Sequence, residues 1–166
     1  MKIAKVILSG TTLALALAGV AHADSKIASG IGCQPLYGAE KVEGQGVSHT
    51  YMGVQNTAAD LRDRAVLCPI SVDVTSNTAG LATQSNGVSL KLSGAANGKA
   101  IQCTAVSVTQ YGSIVLSVAK SSTATPGNTS IDWGTTMNKS VNHGSYAFQC
   151  MLPSGAFINT IEYNEP

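Results

Sequence analysis

The chain has 166 residues, 44% of them hydrophobic and 11% charged, with 10 Lys and Arg against 9 Asp and Glu and a formal charge of +1. So even a balance gives no electrostatic reason to expect nucleic acid or an anionic membrane as partner, and no basic run carries interleaved aromatics. The length suits one domain.

Residues 1–23 read as a secretory leader. Lys2 and Lys5 form a positive start, residues 6–20 are mostly apolar, and Ala21-His22-Ala23 is a small-x-small site, so cleavage is expected after Ala23. The apolar run is shorter than the roughly 20 residues that a membrane helix needs, and no cysteine follows the cut to take a lipid. The expected product is one domain, residues 24–166, secreted or periplasmic, with no membrane anchor. Loss of Lys2 and Lys5 takes its formal charge from +1 to −1.

Residues 24–32 are small and polar, a loose lead-in. Cys33-Gln34-Pro35 fits a short edge segment, because proline lacks the donor a central strand requires. Residues 47–54 read as a strand, and residues 55–64 as a charged loop whose Asp60, Arg62, Asp63 and Arg64 mostly satisfy one another; the sharper reading is a carboxylate or cation-binding loop. Residues 65–75 form the cleanest strand, with Val66, Cys68, Ile70, Val72 and Val74 on one face and an unpaired side or bulge at Pro69. Residues 76–86 are a polar loop.

Val88, Leu90 and Leu92 alternate inward, and Asn97-Gly98 is the strongest short hairpin signal, so residues 88–120 are expected to form a three-stranded meander. The phase changes between Cys103 and Val106, which predicts a bulge near Thr104-Ala105. Ile114, Leu116 and Val118 are expected on one face. Residues 121–129 form a loop, 130–134 a short strand with Trp133, and 135–144 a further loop. The chain ends in an expected hairpin: Tyr146, Phe148, Cys150 and Leu152 alternate before Pro153-Ser154-Gly155, and Phe157, Asn159, Ile161 and Tyr163 alternate after it.

Seven to nine short strands with polar turns predict an all-β fold, an antiparallel β-sandwich of jelly-roll or Ig-like type. A small outer-membrane barrel is the competing architecture, but it needs aromatic girdles that this sequence lacks. Cys33, Cys68, Cys103 and Cys150 are an even set in an exported chain, which argues for two disulfides. Zinc is the alternative, but no close Cys pair exists. Three connectivities are open. Cys33–Cys68 with Cys103–Cys150 is favoured: the first ties the N-terminal segment to a core strand, the second a central strand to the C-terminal strands.

Chemistry is thinly marked. No Gly-x-Ser-x-Gly elbow or other signature identifies a nucleophile. His49 on a strand and His143 in a turn read as structural or solvent-exposed imidazoles, with a shared metal site as the sharper alternative. Asp73 and Asp132 are the acids flanked by strand-like sequence, and both read as surface positions rather than a glycosidase pair. Trp133 is the ligand-binding candidate, an indole that either stacks on a sugar from an exposed loop or alternates with Ile131 into the core. No catalytic residue, metal ligand or cofactor is assigned.

Cys33-Gln34-Pro35, Cys68-Pro69-Ile70, Trp133 and Tyr146 to Pro153, read as CQP, CPI and Y-x-x-x-C-x-L-P elements, resemble a pattern in small exported proteobacterial proteins. The resemblance implies a secreted, disulfide-linked β domain and carries over no catalytic residue. The expected role is a non-enzymatic binder of a glycan or a protein surface through loops 76–87, 121–130 and 135–144. The alternatives are a structural or adhesive subunit that assembles through sheet edges, and a small hydrolase with an unmarked site.

Overall fold

Period-two alternation builds most of the long strands among the described residues, with buried and outward positions taking turns. The computed structural model describes residues 24–36, 46–70, 88–95, 97–109, 111–137 and 145–165; the leader, Asp73, His143 and the loop at 76–87 lie outside them. The strands are β1 (Asp24–Ser29), β2 (Gln34–Pro35), β3 (Val47–Thr50), β4 (Gly53–Asn56), β5 (Arg64–Ile70), β6 (Val88–Gly94), β7 (Gln102–Val108), β8 (Ile114–Ser121), β9 (Gly127–Gly134), β10 (Ser145–Leu152) and β11 (Phe157–Glu165). They form an all-β sandwich of two antiparallel sheets. One has the order β3-β4-β11-β6-β9, with β1 also on β11; the other has the order β2-β5-β10-β7-β8.

The inward residues of both sheets make one core. Val66, Cys68 and Ile70 of β5, Leu90 and Leu92 of β6, Ile131 and Trp133 of β9, and Tyr146, Phe148, Cys150 and Leu152 of β10 are all buried. Trp133 and Phe148 meet across the sheets with ring centroids 4.9 Å apart at 44°. Burial of this apolar surface is the main force that joins the sheets.

Both disulfides lie in the second sheet. Cys33–Cys68 continues the β2–β5 pairing, and Cys103–Cys150 joins residues directly opposite on β7 and β10. All four half-cystines are buried. β2 covers only Val66 and Leu67 of β5, so the edge opposite Pro69 is left without a strand partner among the described residues, as its missing N–H requires.

Several connections differ from the sequence-based expectation. The segment 47–54 is not one strand but the hairpin β3–β4, turned at Tyr51-Met52. The Pro153-Ser154-Gly155 turn forms, closed by the Ala156 N–H donating to the Pro153 carbonyl at 2.9 Å. It leads from β10 in one sheet to β11 in the other, so it is a corner and not a hairpin. The Asn97-Gly98 turn likewise carries the chain from β6 to β7 across the sandwich, and the expected meander reduces to the β7–β8 pair. Turn chemistry sets local geometry; the need to bury both apolar faces decides which sheet receives the next strand.

Two phases are corrected as well. β7 pairs with β10 in continuous register through Thr104 and Ala105, so no bulge sits there. Ala105 and Ser107 point inward, while Val106 and Val108 face outward. The irregularity lies in β8, where Ser107 opposes Leu116 but Val108 opposes Ile114. The extra residue, Val115, turns Ile114 to the outer face, leaving Leu116 and Val118 against the core. In β11 a register shift between Ile158 and Thr160 puts Ile158, Ile161 and Tyr163 inward and separates Phe157 from them. Gly53 at the start of β4 and Gly30 after β1 both approach this point: a Cβ on either would collide with the Ile158 carbonyl.

Candidate functional site

The outer faces of the two sheets differ in how their polar groups are used. On the β6–β11 side they satisfy one another. Lys91 Nζ lies 3.1 Å from Glu162 Oε2, Ser89 donates to the same oxygen at 3.4 Å, and Ser93 Oγ reaches Asn159 and Asn128.

The outer face of the second sheet carries rows set by register. Leu67, Gln149, Thr104 and Ala119 stand side by side across β5, β10, β7 and β8. Pro69, Ala147, Val106 and Ser117 form the next row; Met151, Gln102 and Ser121 flank the first on its other side. An open trough of about 410 Å³ lies here, floored by Thr104, Val106 and Ala119 and rimmed by Gln102, Gln149 and Met151. Gln102, Thr104, Ser117, Ser121 and Gln149 make no side-chain hydrogen bond with other described residues. Lys120, the charged residue of the lining, donates from Nζ to the Asp132 carbonyl of β9 at 2.7 Å. The trough therefore offers amides and hydroxyls over a small apolar floor, with its one charge drawn aside. Such a surface matches an uncharged ligand with both hydroxyl groups and apolar faces.

Trp133 does not belong to this surface. It is 1% exposed, and its indole N–H donates to the Val118 carbonyl at 3.0 Å. The core reading of the Ile131–Trp133 alternation is the one realised, and the buried indole offers no face on which a ligand could stack. Tyr111, in the turn between β7 and β8, is an exposed aromatic, 85% accessible, and is not among the residues that line the trough. Sequence reasoning missed the trough because it turned Val106 inward through a bulge at Thr104-Ala105 and kept Ile114 on the face of Leu116 and Val118, whereas both point outward.

The other singled-out residues are placed as follows. His49 Nε2 donates to the Cys33 carbonyl at 2.8 Å, holding β3 to the segment before β2. Asp132 Oδ1 accepts from the Gly134 N–H at 2.6 Å. Asp60 pairs with Arg64 at 2.9 Å, and Lys99 reaches both oxygens of Asp63 at 2.7 Å. The Arg62 backbone N–H, then the Arg64 and Arg62 charges, hold the Asp60 carboxyl below its ordinary range. These charges are committed to one another. Among the described residues no three His, Cys, Asp or Glu side chains cluster as metal ligands, and no helix is long and apolar enough to cross a membrane.

No family model matches the chain, and no curated protein matches it. Among solved structures, the xylan-binding module CBM15 is similar, with a TM-score of 0.46 and 10% sequence identity over 87% of this chain and 97% of that chain.

Proposed function

We propose that the protein is an exported, non-catalytic binding module that takes a neutral glycan chain along the outer face of the β2-β5-β10-β7-β8 sheet. The observation that carries this reading is the set of unpartnered amides and hydroxyls, Gln102, Thr104, Ser117, Ser121 and Gln149, beside Val106, Met151 and Ala119. A sugar ring presents an apolar C–H face and a rim of hydroxyls. Val106 and Ala119 meet the first, and the Gln102 and Gln149 amides, each both donor and acceptor, meet the second. The lining holds no acidic side chain and one cation, Lys120, whose Nζ is held by the Asp132 carbonyl at one side, so amides and hydroxyls make up most of the polar surface that a ligand meets. Two buried disulfides agree with an oxidising destination.

Affinity electrophoresis through gels containing neutral or acidic polysaccharides tests this. Retardation is expected in a neutral gel. Gln149→Ala and Gln102→Ala should each weaken it about fivefold, the equivalent of about 1 kcal/mol for one hydrogen bond. New reducing ends should not accumulate during incubation. Unretarded migration in every neutral gel, or retention unchanged in both variants, would refute the reading.

A further inference from the structure

We propose that β8 is the contact edge of a two-fold dimer, in which β8 of one copy pairs antiparallel with β8 of a second copy. The argument begins at Cys103 and Cys150. They stand directly opposite with Cα atoms 4.1 Å apart, the short spacing of a pair that exchanges no backbone hydrogen bonds. Cys103 therefore turns its N–H and C=O toward β8. The Ser122 N–H donating to the Ile101 carbonyl at 2.9 Å obeys the same phase. So Leu116, Val118 and Lys120 bond to β7, and the N–H and C=O groups of Ser117, Ala119 and Ser121 point away from it. β8 ends its sheet, and no described strand lies on that side.

Edges of this length are normally blunted by proline, by charge or by a bulge. From Leu116 to Ser121 there is no proline, and the one bulge lies at Val115. The one charge, Lys120, is bound to the Asp132 carbonyl of its own subunit. A second copy is the occupant this chemistry favours. It brings an edge of equal length on which Ser117, Ala119 and Ser121 are small and neutral. In an antiparallel register that sets Ser117 opposite the partner's Ala119, each Lys120 stands opposite the partner's Leu116, so no like charges are paired across the seam. An antiparallel two-fold also sets outward-pointing residues against outward-pointing residues, Ser117 against Ala119 of the partner subunit. Ser117, Ala119 and Ser121 also line the trough. The pairing would join two five-stranded sheets into one and bring the two troughs side by side.

Sedimentation equilibrium of the purified protein, without ligand, tests the dimer across the micromolar to millimolar range. The mass should rise from one chain to two. Ala119→Pro removes an outward N–H while sparing the bonds to β7, so it should abolish the dimer with an unchanged circular dichroism spectrum. Amide exchange at Ser117, Ala119 and Ser121 should slow in the concentrated protein alone. A monomer throughout, a dimer that survives Ala119→Pro, or exchange at these amides that ignores concentration would each overturn the proposal. If Ala119→Pro fails to fold, the exchange measurement on the unaltered protein decides. Because no glycan is present, failure here leaves the glycan reading untouched.

Discussion

Trp133 shows how much one side chain does in this core. Its ring packs on Phe148, and its N–H is spent on the Val118 carbonyl, so it ties β9 to both β10 and β8 of the other sheet. Trp133→Ala is expected to cost about 3–5 kcal/mol by urea denaturation, as for other large core truncations. The same variant, if it remains folded, should still bind a neutral glycan, since the indole is absent from the trough. Asn56 is a second such residue: fully buried, it donates from its side chain to the Arg62 and Leu152 carbonyls and accepts from the Ala58 N–H. It fixes the charged loop to the end of β10. The burial of Trp133 is legible in its alternation with Ile131, but its partners, like the Leu152 carbonyl that Asn56 meets, come from distant strands that local sequence does not name.

At the scale of the element, alternation located most strands but not their neighbours. The inward set of β10 follows directly from Tyr146, Phe148, Cys150 and Leu152, and the cysteine spacing suits the two bonds that form. The same rule failed in β8, because one inserted residue reverses every face beyond it. This gives a discriminating measurement. A simple alternation through Ile114 places it in the core, where truncation to Ala costs about 2–5 kcal/mol. Turned outward by the Val115 bulge and 66% exposed, Ile114→Ala should change stability by no more than about 0.5 kcal/mol. Leu90→Ala, fully buried on β6, serves as the contrasting control with the full core penalty. The two corner turns illustrate a related limit. Asn97-Gly98 and Pro153-Ser154-Gly155 announce a reversal, yet only the packing of two sheets determines whether the chain returns beside itself or crosses over.

For the whole molecule, the distribution of covalent links is uneven. Both disulfides stitch neighbouring strands of the β2-β5-β10-β7-β8 sheet, and none spans the sandwich. Cohesion between the sheets rests on side-chain packing. Replacing Cys103 and Cys150 together with Ala should lower stability by about 2–5 kcal/mol, read from the shift of the denaturant midpoint, through loss of loop closure in the unfolded chain.

One of these links lies directly beneath the trough: Cys103 and Cys150 sit between the Gln149–Thr104 and Met151–Gln102 positions that line it, with their side chains in the core. The backbone under those amides is thus set before any ligand arrives. A polymer settling there would meet side chains whose points of attachment are already fixed, and the backbone beneath loses little freedom in receiving it. The entropy given up on association then falls on the ligand and on the glutamine side chains rather than on the backbone, so a stiff, extended chain would be held more tightly than a flexible one of the same composition.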